Sequence, residues 1–492
     1  MSQGVPASGC DFASASALLY SGGWRPGGGG TAPVLEVATG ERIGEIALAD
    51  EADVERAGAV AAEAQRAWAG ASFRERSAVM ARAGQALEGM RADIVAMMIR
   101  ETGCIRAKAE QEITKAQDEL RAAAELADQP YGQLLPHDDP AVLSMARRVP
   151  VGVVGVIAPW NAPLMLAIRS VAPALVLGNG VLLKPDVKTA LSGGVALARV
   201  FEAAGLPDGL LHVLPGGPAT GEAVVRSPHT SVISFTGSSA TGRRVGELAG
   251  GLLKRVVLEL GGNNALIVLD DADLDAAVNN AAWGSLLHQG QICMATGRHL
   301  VHERIADEYV ARLTEHARSL VMGDPKRPEV RVGPLIDARQ AGRVHAIVTA
   351  AVEAGAVVGA GGTQEGPFYS PTVLDRVDPG SPAFTEEIFG PVIPVTRFGS
   401  DEEAAELANR TSYGLSAAVH TRDMARGLAL ADRLRTGMVH VNGQTINDAA
   451  HVPMGGMGAS GNGGRYGGHW NLDEFTYWQW VTARSTPHAY PV

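Results

Sequence analysis

A cysteine near the middle of the chain has the surroundings of a reactive thiol. Cys293 follows the glycine-bearing turn Gly290-Gln291-Ile292, which comes directly after a predicted helix. A thiol in such a loop is a candidate nucleophile when its thiolate is accessible. A buried and inert cysteine is the alternative, and we assign that role to Cys10 and Cys104.

A carboxylate and an amide lie at the ends of two predicted strands. Glu259 ends an apolar strand. Burying a carboxylate there costs free energy, which is tolerated when the group is paired or has a catalytic role. With a raised pKa it would act as a general base; a salt-bridged strand terminus is the alternative. Asn161 follows the first buried strand. Its amide could donate to a developing oxyanion or cap the helix that begins near Pro163.

Loops at strand ends predict a site for a phosphate-bearing ligand. Phe235-Thr236-Gly237-Ser238 places hydroxyl and N–H groups at a helix N-terminus, which suits a pyrophosphate. Lys184-Pro185-Asp186 places a lysine at another strand end, facing the same crevice. Residues 456–461 match GxGxxG, but no strand leads into them and no helix follows. We therefore interpret this segment as a tight loop.

The elements that must position these residues alternate along the chain. Predicted strands cover residues 151–157, 181–183, 211–214, 231–235 and 256–259, and predicted helices cover 51–69, 74–127, 163–177, 189–204, 219–226 and 239–249. Such alternation predicts right-handed crossovers and a parallel sheet, whose ligands bind outside the carboxyl ends of the strands. A second α/β section follows from about residue 265 to 460, beginning with a strand at 265–269 and a helix at 274–288.

Composition excludes several classes of protein. The 492 residues include 42 Lys and Arg against 53 Asp and Glu, a net charge of −11. This acidic balance argues against a nucleic-acid partner. Three cysteines are too few for a disulfide framework or a cysteine-built metal site, so no metal is expected.

One uncharged segment could be mistaken for a membrane span. Residues 149–168 carry no charge, but Pro150, Pro159 and Pro163 would break a helix. We expect a strand, a turn and a helix there, and no membrane partner. Residues 1–30 lack the pattern of a secretory signal and look like a flexible arm. The expected compartment is the cytoplasm.

Taken together, these motifs resemble the aldehyde dehydrogenase superfamily. The resemblance covers about residues 30–482 and rests on motifs that occur in the family's order: Pro159-Trp160-Asn161, Lys184-Pro185, Phe235-Thr236-Gly237-Ser238, Glu259-Leu260-Gly261-Gly262, Gly290-Gln291-Ile292-Cys293, Glu387-Ile388-Phe389-Gly390-Pro391 and Pro453-Met454-Gly455-Gly456. Residues 288–299, 442–445 and 475–480 look like the branch that oxidises benzaldehyde and vanillin.

The resemblance implies an α/β architecture with three units. These are a Rossmann-like dinucleotide-binding domain (residues 1–127 and 149–258), an α/β catalytic domain (259–470) and a small β oligomerisation element (128–148 and 471–492). Homodimers or homotetramers are implied. The aromatic tail at 474–481 is predicted to be an edge strand that pairs with another subunit.

The resemblance also implies the role of each reactive group. Cys293 would attack the aldehyde carbon, and Asn161 with the Cys293 backbone N–H would hold the oxyanion. After hydride transfer to the cofactor, Glu259 would activate the water that hydrolyses the thioester. The implied contacts of the cofactor, which is NAD with NADP tolerated, are Ile157, Pro159, Trp160, Lys184, Asp186, Gly217, Phe235, Thr236, Gly237, Ser238, Leu260, Gly261, Glu387 and Phe389. Lys184 would face the adenosine ribose, Ser238 the pyrophosphate and Glu387 the nicotinamide ribose.

Two positions depart from the family pattern. Many NAD-preferring relatives carry Glu three residues after the lysine, where this chain has Val187. The missing carboxylate removes an anchor for NAD and a repulsion against the 2′-phosphate of NADP, which is why we expect NADP to be tolerated. Asn263 replaces a lysine that many relatives have.

The substrate pocket implied by the resemblance is apolar, and some of its side chains are flexible and polarisable, which suits a flat aromatic ring. Its residues are Ala162, Met165, Leu166, Ile292, Met294, Thr445, Ile446 and Met454. No Arg or Lys is among them, so a carboxylated semialdehyde is disfavoured.

The sequence therefore predicts an NAD(P)-dependent dehydrogenase that oxidises an aromatic aldehyde to its acid. Oxidation of aliphatic aldehydes or semialdehydes stays open as an alternative. So do a cofactor-independent thiol esterase or acyltransferase, a CoA-acylating dehydrogenase and a catalytically silent homologue.

Overall fold

Two seven-stranded sheets form the frame of the molecule, and a three-stranded sheet extends from it. The computed structural model describes residues 9–490. Both large sheets consist mainly of parallel strands with helices packed on their faces, which confirms the predicted α/β class.

Up to residue 260, four strands precede a helical region, and strands then alternate with helices. The strands are β1 (Leu19–Ser21), β2 (Trp24–Arg25), β3 (Thr31–Leu35), β4 (Arg42–Ala47), β5 (Gly132–Leu134), β6 (Val142–Pro150), β7 (Val153–Ile157), β8 (Gly180–Lys184), β9 (Leu211–Val213), β10 (Thr230–Thr236) and β11 (Arg255–Glu259). The helices are α1 (Glu51–Ala69), α2 (Phe73–Gly89), α3 (Arg91–Thr102), α4 (Arg106–Leu126), α5 (Pro163–Val176), α6 (Ala196–Ala203), α7 (Pro218–Arg226) and α8 (Ser239–Gly251).

After residue 260 a second alternation builds the other large sheet. The strands are β12 (Asn264–Val268), β13 (Thr296–His302), β14 (Val357–Ala360), β15 (Gln364–Glu365), β16 (Phe368–Tyr369), β17 (Thr372–Asp375), β18 (Val392–Phe398), β19 (Ser416–His420), β20 (Met438–Val441) and β21 (Thr476–Arg484). The helices are α9 (Leu274–Leu286), α10 (Glu303–Ser319), α11 (Ala338–Glu353), α12 (Pro382–Thr385), α13 (Asp401–Asn409), α14 (Met424–Ala431) and α15 (Asn471–Phe475).

The first sheet has the strand order β11-β10-β7-β8-β9-β1-β2, and its first five strands are parallel. In chain order these five strands read 5-4-1-2-3, so the order reverses between β7 and β10. A crevice opens at such a reversal, outside the carboxyl ends of the strands. All five residues of β7 are buried, because helices cover both faces of the sheet.

The second sheet has the order β14-β17-β18-β13-β12-β19-β20 and is parallel except for β14. The third has the order β21-β6-β5 and is antiparallel. Here β21 pairs with β6 from Thr476 opposite Pro150 to Arg484 opposite Val142. The tail thus pairs with β6 of its own chain, whereas its aromatic pattern alone predicted pairing with another subunit.

The helical stretch predicted over residues 74–127 consists of three helices, and the sequence analysis did not place the two breaks between them. Met90 separates α2 from α3, and Gly103 ends α3 in the left-handed region at φ 70°. A Cβ atom on Gly103 would lie 2.7 Å from Pro334, so the chain turns where only glycine fits. Likewise, the helix predicted at 189–204 is regular only from Ala196, after a π-helical turn at Leu191–Val195.

The flexible arm predicted for residues 1–30 is also wrong for its described part, while residues 1–8 lie outside the described residues. Cys10 is buried, and its N–H donates to Asp93 at 2.8 Å. β1 joins the first sheet beside β9 because Leu19 and Tyr20 bury apolar side chains.

The uncharged segment at 149–168 contains the end of β6, all of β7 and the start of α5, as predicted. No helix within residues 9–490 is long and apolar enough to cross a membrane.

Candidate active site

A row of charged residues on α4 faces the start of α5. Lys108 and Glu112 are both buried and form an ion pair one helical turn apart. Lys108 Nζ also donates to the Asn161 carbonyl at 2.8 Å. Glu112 Oε1 accepts the backbone N–H groups of Leu164 (3.0 Å) and Met165 (3.3 Å). The pair therefore holds the first turn of α5 and Asn161, two residues before it, and the carboxylate is stabilised by the positive end of that helix.

The Asn161 side chain points to the cysteine loop. Its Nδ2 donates to the Gln291 carbonyl at 2.8 Å. The residue before α5 is Ala162, whose side chain makes no capping hydrogen bond, and the first free N–H groups of the helix are taken by Glu112 and not by Asn161. The alternative in which Asn161 caps α5 is therefore wrong. An amide nitrogen carries two protons, so one remains for a second acceptor.

The loop before Cys293 turns sharply through residues in unusual conformations. His288 (φ 51°), Gln289 (φ 56°) and Gly290 (φ 70°) follow one another in the left-handed region. Non-glycine residues adopt this region only rarely, and such strain collects at functional sites. Gln289 Nε2 donates to the Gly103 carbonyl at 2.9 Å, which helps to hold the turn. The predicted helix at 274–288 accordingly ends at Leu286.

Cys293 is half-buried. Its backbone is held by a hydrogen bond from β12, the strand that follows Glu259 in sequence. Asn264 Nδ2 donates to the Cys293 carbonyl at 2.8 Å. A Cβ atom on Gly262 would lie 2.4 Å from that same carbonyl, so the loop approaches the chain where only glycine fits. Burial, together with the charges of Glu387 and Glu259, raises the pKa of the Cys293 thiol to about 12.

A cavity of about 410 Å³ brings the thiol and the amide together. Its lining residues are Pro159, Trp160, Asn161, Leu166, Thr236, Gly237, Ser238, Ser239, Ala240, Leu260, Gly261, Cys293, Gln340, Arg343, Glu387, Phe389 and Tyr413. Gln340 and Arg343 come from α11, and Tyr413 follows α13. The sequence did not predict these three, because no motif surrounds them.

A larger crevice of about 1100 Å³ continues from this cavity along the carboxyl ends of β7, β8 and β10. The predicted cofactor contacts that line it are Ile157, Pro159, Trp160, Lys184, Asp186, Gly217, Phe235, Thr236, Gly237 and Ser238. The other four, Leu260, Gly261, Glu387 and Phe389, line the smaller cavity. Ser238 precedes α8 and its hydroxyl accepts the Thr241 N–H, so the helix N-terminus opens on the crevice.

Glu387 is held where the two halves of the chain meet. Its Oε1 accepts the Gly262 N–H at 2.9 Å, and burial raises its pKa to about 7 despite this bond and the Arg343 charge. Phe389 packs edge-on against Trp160, with ring centroids 5.6 Å apart. Asn263 Nδ2 donates to the Phe384 carbonyl at 2.7 Å, which ties it to the helix just before Glu387.

Glu259 lies apart from the cavity. It is 3% exposed, and neither carboxylate oxygen accepts a hydrogen bond from a side chain among residues 9–490; only the Gly456 backbone N–H approaches it. The alternative of a salt-bridged strand terminus is therefore wrong. Burial raises its pKa well above the usual value, against the charges of Arg169 and Arg465. The GxGxxG segment forms a tight loop here, as predicted, and its Ser460 carbonyl accepts the Leu260 N–H at 2.9 Å.

Of the predicted substrate contacts, only Leu166 lines the cavity. Ile292, Met294, Ile446 and Met454 join the apolar cluster that packs against Cys293.

The remaining three predicted substrate contacts are also placed outside the cavity lining. Thr445 is fully buried, and its hydroxyl hydrogen-bonds Thr296 at 2.8 Å. Ala162 precedes α5, and Met165 is buried in its first turn.

A buried ion network that the sequence did not predict links α4 and α5 to the segment carrying Ile446. Arg169 Nε donates to Glu119 at 2.8 Å, and the same guanidinium pairs with Asp448. Lys115 also pairs with Asp448, and the two cations hold the pKa of its carboxyl well below the usual range. Within residues 9–490, no group of three or more His, Cys, Asp and Glu side chains is arranged to hold a metal ion.

Comparisons with known proteins agree with this geometry. A family model described as "Aldehyde dehydrogenase family" matches residues 24–481. A vanillin dehydrogenase of Amycolatopsis sp. is 56% identical over 96% of this chain and 97% of its own length. A benzaldehyde dehydrogenase [NAD(+)] of Pseudomonas putida is 50% identical over 96% and 97%. The crystal structure of a salicylaldehyde dehydrogenase from P. putida, complexed with salicylaldehyde, matches with a TM-score of 0.94 at 34% identity, over 97% of this chain and 99% of that one. The resemblance predicted from the motifs is confirmed.

The Lys108–Glu112 pair predicts a large loss of stability when only one partner is removed. Lys108→Met leaves the Glu112 carboxylate buried and unpaired, and we expect the free energy of unfolding to fall by about 3–5 kcal/mol. Lys108→Met/Glu112→Gln removes that charge and should recover at least half of the loss. Unfolding in urea measures both.

Arg106→Met, on the exposed face of the same helix, is the control and should change the free energy of unfolding by no more than about 0.5 kcal/mol. A double variant that is no more stable than Lys108→Met would contradict this account of the pair.

Proposed function

The chain belongs to the aldehyde dehydrogenase family, and we propose that it oxidises an aromatic aldehyde to the carboxylic acid with NAD or NADP as oxidant. One observation carries this proposal: Cys293 and Asn161 line the same cavity as Glu387 and Phe389, the implied contacts of the nicotinamide half. Apolar Leu166 in the cavity lining, and Ile292 and Met294 on either side of Cys293 in the chain, support an aromatic substrate. The two relatives of highest identity described above are named for vanillin and benzaldehyde.

The crevice suits a dinucleotide in shape and in chemistry. It follows the strand ends at the reversal of strand order, and the N-terminus of α8 can face a pyrophosphate. Lys184 and Glu387 would hold the two riboses. When bound, the nicotinamide ring accepts a hydride from the substrate.

Cys293 begins the reaction. The thiol loses its proton to solvent, and sulfur adds to the carbonyl carbon while the C=O electron pair moves to oxygen. The Asn161 amide and the Cys293 backbone N–H donate to this oxyanion. The oxyanion then reforms the carbonyl as hydride leaves carbon, and the acyl group stays on sulfur as a thioester.

Glu259 completes the reaction as the base. For this step its side chain turns from its buried position toward the thioester. Its carboxylate takes a proton from water as the water oxygen adds to the acyl carbon, and the Cys293 thiolate then leaves. The retained carboxylate favours water over CoA as the acyl acceptor.

Variants at the two residues should separate the two halves of the reaction. Cys293→Ala should abolish the reduction of NAD by benzaldehyde, because no other group in the cavity can form the thioester. Glu259→Gln should still form one equivalent of reduced nicotinamide but slow turnover by about 10²–10⁴-fold, the usual contribution of a general base. Absorbance of reduced nicotinamide, in single and multiple turnovers, measures both.

Cys104→Ala replaces a buried thiol outside the cavity and serves as the control. Retained activity in Cys293→Ala, or ester hydrolysis without reduction of NAD by any aldehyde, would refute the proposal in favour of an esterase. Vanillin, phenylacetaldehyde and a short aliphatic aldehyde complete the substrate panel.

For the cofactor, we propose that NAD is used and that NADP is also accepted. Uncharged Val187 lines the crevice beside Lys184 and Asp186. The Asp186 carboxylate accepts the Lys188 N–H, so it is already engaged by the chain. Arg339 of α11 lines the same crevice and adds a positive charge there.

A carboxylate at position 187 should increase the discrimination against NADP. Val187→Glu should lower kcat/KM for NADP at least tenfold, because like charges repel, while NAD changes by less than threefold. Val187→Gln, which has a side chain of similar size without the charge, should leave both values within threefold. Steady-state kinetics with each cofactor decides this, and a wild type with no NADP turnover would contradict the claim of tolerance.

We also propose that the three-stranded sheet joins subunits of a homodimer or homotetramer. The outer edge of β21 has no partner strand among residues 9–490, and Trp478 and Trp480 are exposed on it. Exposed edges of this kind pair with other chains unless they are covered.

Light scattering should then give the mass of a dimer or tetramer. Trp480→Glu should shift the protein toward monomer, because it places a charge in the contact. Tyr490→Glu changes an exposed aromatic residue beyond the sheet and should leave the mass unchanged. A monomeric wild type would refute the assembly.

A further inference from the structure

Gln291, two residues before Cys293, uses all four of its polar groups within the protein. Its backbone N–H and its side-chain Nε2 both donate to the His288 carbonyl, at 3.0 and 3.4 Å. Its Oε1 accepts the backbone N–H of Ile336 at 2.9 Å, and its own carbonyl accepts the Asn161 amide at 2.8 Å. The residue is fully buried. The cysteine loop is therefore tied to a segment that lies 45 positions further along the chain.

These bonds hold a turn whose backbone is strained. His288 and Gln289 adopt left-handed conformations, with φ 51° and 56°, which cost free energy and persist only where the surroundings hold them. The N–H of Gln291 closes this turn onto His288, and the bond from Ile336 holds it against the chain just before α11. The carbonyl that Asn161 contacts therefore has a defined position.

The Gln291 carbonyl also sets the orientation of the Asn161 amide. A carbonyl oxygen accepts hydrogen bonds but donates none, so it pairs with Nδ2 of the amide and not with Oδ1. Turning the amide over would bring two oxygen acceptors together with no proton between them. Because Nδ2 carries two protons, one remains after the bond to Gln291, and Asn161 lines the cavity beside Cys293.

We propose that Gln291 is a positioning residue for the oxyanion site. Its carbonyl holds the Asn161 amide so that the second N–H proton is left for the oxyanion, and its side chain keeps that carbonyl in place. This inference rests on the proposed function, in which Asn161 donates to the oxyanion. Lys108 binds the main-chain carbonyl of Asn161, so the residue is held at its backbone and at its side chain from different elements. Donors aligned in advance need no rearrangement when charge develops on oxygen.

Gln291→Met tests the proposal in the intact enzyme with NAD and benzaldehyde. Methionine is of similar length but has no acceptor for the Ile336 N–H, so the loop loses this tie. We expect the single-turnover reduction of NAD, followed by rapid mixing, to slow at least tenfold, because small misplacements of an aligned group are costly. The KM for NAD should stay within twofold of wild type, because Gln291 does not line the crevice.

A double-mutant cycle separates positioning from a general loss of structure. Asn161→Ala should slow the same step by about 10²–10³-fold, the usual effect of losing one oxyanion donor. Adding Gln291→Met to Asn161→Ala should slow it by less than threefold further, because no amide remains to be positioned. The effects of two independent sites would multiply instead.

Two further variants keep the test decisive. Gln291→Asn keeps an amide but is one methylene too short to make the same bond to Ile336. It should slow the step in the same way, and it carries the test if Gln291→Met does not fold. Gln65→Met is the matched control, because Gln65 on α1 donates to the Gly178 carbonyl at 2.8 Å, away from the cavity. This variant should leave the step within twofold of wild type.

The outcomes are distinct. The inference is overturned if Gln291→Met and Gln291→Asn reduce NAD as fast as wild type, or if their effects multiply with that of Asn161→Ala. An Asn161→Ala variant as fast as wild type removes the donor role on which the inference rests, while the proposed oxidation stands. A wild type that reduces no nicotinamide with any aldehyde overturns the proposed function itself.

Discussion

Charges buried between α4 and α5 must be paired, because an unpaired ion in such an interior costs several kcal/mol. Lys108, Glu112 and Glu119 lie on one face of α4 and meet this demand with groups of the site itself: the carbonyl of Asn161, the first N–H groups of α5 and the guanidinium of Arg169. The same ion pairs therefore stabilise the helix pair and fix the position of Asn161, the proposed oxyanion donor. Through Asp448 they also fix the segment that carries Thr445 and Ile446. A substitution of Lys108, Glu112 or Glu119 therefore changes both the stability of the helix pair and the position of Asn161.

The reactive groups come from distant parts of the chain and meet because of where strands end. Asn161 follows β7 and Glu259 ends β11, both at the carboxyl edge of the first sheet, while Cys293 precedes a strand of the second sheet. Gly261 and Gly262 make this meeting possible, since a Cβ atom on either would lie 2.4 Å from Glu387 or from the Cys293 carbonyl. The join between the two sheets therefore has no room for a side chain at position 262, beside the Cys293 carbonyl.

The sequence predicted those features of the fold and site that depend on residues close together in the chain. Strands at 153–157 and 230–236 and the loops after them were predictable, since apolar runs and turn residues are near neighbours in sequence. All fourteen implied cofactor contacts line the two cavities for the same reason. Arg169 pairs with a residue 279 positions away, and no local pattern shows such a partner. The pair Lys108–Glu112 did leave a signal, opposite charges four residues apart on an Ala-rich helix. The substrate contacts were predicted least well, because packing behind Cys293 decides which of them reach the cavity.

The covering of Glu259 by residues 456–466 has a consequence for how the protein is made. Chains emerge from the ribosome N-terminus first. The face of the first sheet that holds Glu259 is complete once β11 has emerged, but its cover is about two hundred residues away in sequence and the partner strand of β6 lies further still. The nascent chain must therefore carry an uncovered apolar face, and a β6 paired only with β5, until synthesis is nearly finished. A chain that stops just before residue 456 would keep the residues that line the crevice and yet leave Glu259 open to water.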